Sequence, residues 1–422
     1  MDLRASNKSK VGRPLRVLLP LLLWGALAMP AAFAEPGITD KNVRLGSLLD
    51  LKGEGKDIGE GIAAGLAAAL EGHPVQGRPI KLIVKNDFGL AEKTREELEK
   101  LLVRNLFLFV GNTGVASTKT ALPRLSAEGI PAVGFGSGID ELYAGKGSVI
   151  NFRPSARQEV EVLVRAVLQN GIAANEVCAY VQDDAYGMIG VQGIRNVLSV
   201  VAGAEGVVAA LDQVLAAGGE GLARNGIGPV GVFTPDTFVS GPGYRSLKGW
   251  EEKQGVACKL VMAVGGHGSV ASFIGYARYK GEKWVIGVLS SVGQTALQKA
   301  LKKFQDFERV ARRIILTQVV PPLDAQMPIM NEARTALGGK LTVASAEGFL
   351  VGRLLREILD RTKGEITRKS ILQTAANLHI DMGGLAVDLR GDMQASDLVL
   401  LTTLAGADWR PMTQAQWEEW KR

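Results

Sequence analysis

Four short segments of this 422-residue chain gather the groups able to do chemistry. Residues 111–118 (GNTGVAST) link an apolar run to a helix start. There Thr113, Ser117 and Thr118 can cap the helix, or the free N–H groups and the helix dipole can hold an anion. Residues 134–138 (GFGSG) follow a strand-like run but lack the G-x-G-x-x-G spacing of a dinucleotide loop, and they come after the fourth strand instead of the first. Residues 183–187 (DDAYG) put Tyr186, an aromatic face with a hydroxyl, at the end of a strand. Asp183 and Asp184 can act as an acid pair or cap the next helix, and no nucleophile or base can be placed beside them. Residues 265–269 (GGHGS) put His267 where a strand gives way to a helix, the edge at which open parallel sheets bind ligands. A surface-loop histidine is the alternative. His73, His267 and His379 have no second histidine three to five residues away, so no zinc site is expected. The sequence has no G-x-S-x-G elbow and no P-loop lysine followed by Ser or Thr. No cofactor is expected.

These segments need elements to hold them, and the charge must be placed first. The formal net charge is +6, from 49 Lys and Arg against 43 Asp and Glu. Residues 1–16 carry Arg4, Lys8, Lys10, Arg13 and Arg16 against Asp2; an apolar run over 17–29 follows, then PAAFA with Ala32 and Ala34 before Glu35. A basic flank, a short apolar core and an A-x-A site read as a secretory signal peptide over 1–34, cleaved after Ala34. A spanning helix would want about 20 apolar residues. Loss of the leader removes five bases and one acid, leaving 44 against 42, and with it the electrostatic argument for nucleic acid. The two cysteines, Cys178 and Cys258, lie in apolar strand-like runs and are either a disulfide or two buried thiols.

From residue 35 onward short apolar runs alternate with longer amphipathic ones. Strands are expected at 43–49, 80–84, 106–110 and 130–135, with helices at 59–70, 91–103 and 117–125 between them. After 151–154 the alternation restarts, with strands at 176–182, 230–233, 258–264 and 284–289 and helices at 188–201 and 269–279. Residues 313–319 follow, then helices at about 328–336, 344–361 and 367–377, and short antiparallel strands at 385–389, 397–403 and 409–412. Strands spaced this way with helices between them predict an α/β fold with two parallel sheets, each covered on both faces. The Gly- and Pro-rich segment 217–248 has no clear pattern.

Residues 43–53 (VRLGSLLDLKG), 77–82, 108–123 (LFVGNTGVASTKTALP), 130–137 (IPAVGFGS), 151–154 (NFRP), 182–187 (QDDAYG) and 345–348 (SAEG) occur in an order that resembles the type I periplasmic binding proteins of ABC transporters, in the group that includes the leucine/isoleucine/valine-binding protein. The resemblance implies two Rossmann-like lobes joined by three crossovers, near 151–154, 289–292 and 381–385. Lobe one is then 36–151 plus 290–381, and lobe two 152–289 plus 382–422. It also implies a ligand cleft. The helix start at Thr113, Ser117 and Thr118 would grip a ligand carboxylate; Gly136 and Ser137 would supply backbone and hydroxyl contacts; Tyr186 and His267 would face them from the second lobe.

Three positions depart from the family pattern. The acid that some members use for a ligand ammonium falls at Ser290 or Ser291, which carry no charge. A charge-assisted hydrogen bond is worth about 1.5–3 kcal/mol, so its loss argues against a zwitterionic amino acid unless Asp183 or Asp184 substitutes. The first loop reads Asp50-Leu51-Lys52-Gly53 where the family has P-L-T-G, which sets Lys52 near the cleft mouth. Residues 265–268 lack bulk apart from His267 and widen the expected space. The expectation is a monomeric, non-enzymatic receptor in the periplasm that delivers a small-molecule solute to an ABC permease in the inner membrane. The family default is an amino acid, especially branched-chain, with an amide, organic acid or larger apolar solute also allowed. A ligand sensor that signals to a membrane receptor and an α/β enzyme are the alternatives.

Overall fold

The computed structural model describes residues 35–143, 148–218, 222–406 and 408–420. The expected signal peptide over 1–34 lies outside the described residues. Strands β1 (Val43–Leu49), β2 (Pro74–Val75), β3 (Arg78–Asn86), β4 (Leu108–Val110), β5 (Ala132–Val133) and β6 (Val149–Ile150) form one sheet in the order β2-β3-β1-β4-β5-β6. Only the β2–β3 edge hairpin is antiparallel. The apolar run of β4 is wholly buried because α1 (Lys56–Leu70), α2 (Ala91–Leu102) and α3 (Val115–Ala127) return the chain across the sheet.

Past the first crossover the chain forms α4 (Ala156–Gln169), β7 (Val177–Gln182), α5 (Ala185–Leu198), α6 (Glu205–Ala216), β8 (Val230–Phe233), α7 (Gly241–Gln254), β9 (Leu260–Val264), α8 (His267–Tyr279) and β10 (Val285–Val288). The segment 217–248 thus contains β8 and the start of α7. Then come α9 (Gln294–Leu301), α10 (Phe307–Val310), β11 (Ile314–Gln318), α11 (Pro328–Leu337), α12 (Val343–Arg361), α13 (Arg368–Ala376), β12 (His379–Met382), β13 (Leu385–Asp388), β14 (Leu400–Ala405), β15 (Asp408–Pro411) and α14 (Gln414–Trp420). The second sheet runs β15-β14-β11-β10-β9-β7-β8, parallel except for β14 and β15. A disulfide joins Cys178 in β7 to Cys258 just before β9, the strand that pairs with β7, so sheet adjacency decides what spacing left open. Tyr180 lies between Phe233 and Phe273 in the same core, with ring centroids 4.7 and 3.7 Å away.

Two crossovers fall elsewhere than the sequence suggests. The chain does not leave the second lobe at 290: all five residues of β11 are buried, and Ile314 pairs in register with Ile286 of β10. It leaves after Gln318. The β12–β13 hairpin in turn belongs to the first lobe, where Met382, Leu385 and Val387 join the core of Ile329, Leu350 and Leu354. The last crossing lies beside the first one, since the Asn151 N–H donates to Met393 O at 2.8 Å and the Ala395 N–H donates to Asn151 O at 2.9 Å.

Glycines fix how closely α1 and α12 pack beneath the cleft. A Cβ on Gly65 would stand 2.1 Å from Ser345 O, and one on Gly348 would stand 2.4 Å from Ile62 O. Backbone to backbone contact of this kind positions the start of α12 against the first sheet. Among the described residues no helix is long and apolar enough to cross a membrane.

Candidate functional site

Between the carboxyl ends of the two sheets lies a cavity of about 760 Å³. From the first lobe its wall takes the starts of α1, α3 and α12 and the loop after β5; from the second, the starts of α5 and α8, residues 235–236, and Ser290 and Ser291 after β10; at the first crossover, Arg153. Strand ends and helix starts meet here because every parallel strand runs in the same sense, which carries the helix starts to one edge.

How each helix begins decides what the wall offers. Asp184 caps α5 by accepting from the Gly187 N–H at 2.9 Å, and Thr342 caps α12 by accepting from Ser345 N at 3.1 Å. Helix α3 begins instead at Gly114, whose φ of 87° suits glycine, and α8 begins at Gly266; no side chain caps either one. Val115, Ala116 and His267 in those first turns line the cavity. Their N–H groups have no partner within the helix, so two opposed helix starts present donors and positive dipole ends to the same space. Ser137, buried beside them, has an Oγ with no hydrogen-bond partner.

Of the residues singled out from sequence, Thr113, Gly136, Ser137, Tyr186, His267 and Ser290 lie on the cavity wall. Tyr186 is buried, and its hydroxyl is 2.5 Å from Ser291 Oγ. Burial pushes the Tyr186 phenol up to about 12, against the hydrogen bond to Ser291, so it stays a neutral donor or acceptor at physiological pH. Ser290 turns its hydroxyl away, donating to Glu159 Oε1 at 2.9 Å.

Three residues lie apart from the wall. Ser117 Oγ donates to Asp87 Oδ2 at 2.6 Å inside the first core, because α3 begins two residues earlier than its sequence suggests and rotates Ser117 inward. Thr118 Oγ1 donates to Gly114 O at 2.8 Å. Lys52 is exposed and does not line the cavity, since Asp50 folds the loop back by accepting from the backbone N–H of Lys52, Gly53 and Gly55 at 3.1, 2.5 and 2.7 Å. Ser117→Ala is therefore expected to cost about 1.5–3 kcal/mol of stability, the range for a hydrogen bond to a charged group. Urea denaturation would register the loss, and ligand affinity should stay unchanged.

Neither acid of the 183–184 pair is free. Asp183 Oδ1 pairs with Arg224 Nη1 at 2.5 Å, and Asp184 accepts from both Gly187 and Gln182. The charged centre of the cavity is one that sequence reading missed. Arg153 Nη2 donates to Glu159 Oε1 at 2.7 Å and also reaches Ser290 Oγ. Its Nη1 donates to Gly136 O at 3.0 Å and to Glu347 Oε1 at 3.2 Å. All three charged residues are buried. Burial opposes the charge on Arg153, but Glu347 and then Glu159 outweigh it and hold the guanidinium above the ordinary arginine value. Burial also pushes the Glu347 carboxyl up, against the pull of Arg153. Arg153 and Glu347 lie within the segments NFRP and SAEG, which was the available signal; Glu159 is an acid on an amphipathic helix and gave none.

Residues 42–212 match the family model described as periplasmic binding protein. The two-lobed α/β fold is that of the type I periplasmic binding proteins. Among solved structures the chain is similar to a possible leucine/isoleucine/valine-binding protein from Rhodopirellula baltica SH 1, at 26% identity over 90% of this chain and 97% of that one, with a TM-score of 0.73. It is similar in fold to the fatty acid ABC transporter substrate-binding protein from Thermomonospora curvata, at 16% identity over 88% and 90% of the two chains and a TM-score of 0.64. A branched-chain amino acid transporter substrate-binding protein from Streptococcus pneumoniae, in complex with isoleucine, shares 13% identity over 87% and 98% and has a TM-score of 0.65. No curated protein matches the chain in sequence.

Proposed function

We propose that this binding protein is a periplasmic solute receptor that closes its two lobes on a small carboxylate-bearing ligand and presents it to an ABC permease of the inner membrane. The observation that carries the reading is the pair of glycine-started helices, α3 and α8, opposed across one cavity with no side chain capping either. An anion held there takes donors from both lobes, so it stabilises the closed arrangement over the open one. The volume of about 760 Å³ falls within the roughly 300–1,000 Å³ usual for small-ligand pockets. Apolar groups from Ile58, Ile62, Phe88, Leu90 and Val115 line the rest of it and suit an aliphatic or aromatic body behind the carboxylate.

The related structures are named for amino-acid and fatty-acid ligands, and both fit a carboxylate head with an apolar body. In this reading the chain acts as a monomer after removal of its leader. A thermal-shift screen of amino acids, their amides, organic acids and fatty acids tests it. A true ligand at about 100 times its Kd adds about 2.7 kcal/mol and raises Tm accordingly. At least one carboxylate should shift Tm, and its amide should not. Shifts by amides alone, or by no compound, would contradict the carboxylate assignment.

A further inference from the structure

We propose that the end of the second lobe remote from the cavity is a docking surface for anionic phospholipid, built from the segments that lead into β10 and β11.

The surface begins with a concentration of charge. Residues 278–283 (RYKGEK) and 302–313 (KKFQDFERVARR) hold eight basic side chains against three acidic ones. Elsewhere in residues 35–422, 36 bases meet 39 acids, so the positive excess lies here. A nearly neutral total hides a strong local field.

The fold brings the two segments together. Strands β10 and β11 pair in parallel, so the loops that feed them emerge side by side at the amino end of the sheet, opposite the cavity. Arg278, buried near the end of α8, stitches them together by donating to Glu282 O, Trp284 O and Arg312 O at 3.1, 3.0 and 2.7 Å. Arg309 donates to Arg278 O, and Arg313 Nη1 donates to Lys283 O at 3.2 Å. Phe304 lies over Gly275 of α8, where a Cβ would meet its ring at 2.2 Å, and this sets Lys302 and Lys303 beside the same helix.

The acids close by do not answer these cations. Lys280, Lys283, Lys302, Lys303, Arg309 and Arg312 are exposed, and among the described residues neither they nor Arg313 form an ion pair. Glu282 accepts from the Tyr244 hydroxyl at 2.7 Å and pairs with Lys248 at 3.2 Å. Asp306 caps α10 by accepting from the Arg309 N–H at 3.0 Å, which leaves the exposed Glu308. Burial first, and then the charge of Arg313, pull the Arg278 guanidinium down to about 10, against Glu282. Like charges crowded this way repel one another, and an anionic surface offsets that repulsion.

The side chains around the charge select lipid. Tyr279 is 78% exposed, and Lys280 Nζ lies 5.8 Å from its ring centroid and 5.5 Å from that of Tyr276. An exposed tyrosine among lysines suits the headgroup layer of a bilayer, where aromatic rings and basic side chains are both favoured. Among the described residues no helix can cross a membrane, so the contact is peripheral. Docking by this end keeps the cavity clear of lipid, and its test does not depend on which solute is bound.

Co-sedimentation of the leaderless chain with vesicles tests the proposal, using an equal mixture of phosphatidylglycerol and phosphatidylcholine against phosphatidylcholine alone. Each cation at an anionic surface is worth roughly fivefold in affinity. The native protein should therefore bind the anionic vesicles at least roughly tenfold more tightly. That binding should be lost at about 1 M salt, where the Debye length falls to about 3 Å. The triple variant Lys283→Glu, Lys303→Glu, Arg312→Glu should drop to the level of phosphatidylcholine with an unchanged Tm. Lys303→Glu alone should cost roughly fivefold or more, and serves if the triple variant does not fold. Lys41→Glu, Lys340→Glu and Lys363→Glu together, exposed on the first lobe, change the net charge equally and should leave binding intact. Equal binding to both vesicles, or equal loss in both triple variants, would overturn the proposal. Salt-sensitive binding to polyglutamate without binding to anionic vesicles would overturn it in favour of an acidic protein partner.

Discussion

Replacing Arg153 with methionine should remove about 3–5 kcal/mol of stability, the cost of breaking a buried ion pair and leaving the partner charge behind. That is a large share of the roughly 5–15 kcal/mol that holds a typical domain folded. Methionine keeps an unbranched stem but is shorter than arginine, so the loss reports chiefly the missing charge and hydrogen bonds, with a smaller contribution from packing. Arg153 donates to Glu159, Glu347, Gly136 O and Ser290, so one substitution unties the first crossover from both lobes. Two carboxylates would then be buried with no cation between them. Their folded pKa values would rise above the unfolded ones, so the variant would lose stability as pH rises through them and regain it in acid. Urea denaturation across pH checks both size and sign. A midpoint equal to that of the native protein, or a variant least stable in acid, would contradict the account. Glu347→Gln in the same background should recover part of the loss.

Much of the framework was legible because buried parallel strands are short apolar runs. The sequence shows β1, β4, β7, β9 and β10 within a residue or two of where they lie. What it does not show is which sheet a strand joins: β11 reads equally well as a strand of either lobe, and only its pairing with β10 decides. The cavity wall was legible where a strand end and a helix start are adjacent in sequence, as at Thr113, Gly136, Tyr186 and His267. It was illegible where rotation about a helix matters. Ser117 is a good capping residue by type, yet Gly114 starts the helix and Ser117 points at Asp87, 30 positions earlier. The Arg153 cluster was also out of reach. Glu347 lies 194 positions from Arg153, and each acid alone resembles an ordinary helix-surface residue until both lobes are assembled.

Gly136 separates binding from folding most cleanly, and Gly136→Val is the second large effect expected. Gly136 is not in the left-handed region, and a Cβ there would meet Thr113, Asn112 O and Glu347 at 3.5–3.9 Å, all ordinary contacts. The valine backbone and first carbon are thus tolerated, and Tm in the absence of ligand should stay near the native value. Its two methyl groups, however, would add bulk to the cavity wall beside the start of α3, where the carboxylate is proposed to sit. Overpacking costs about 1–3 kcal/mol, or roughly 5- to 150-fold in affinity, and more if no shift in the ligand relieves the clash. The most direct test of the account is calorimetric titration of native protein and Gly136→Val with the same carboxylate ligand. The account predicts that binding is lost or weakened by that factor while unfolding in ligand-free urea titrations is unchanged. Native affinity in the variant would place the ligand elsewhere and contradict the cleft assignment.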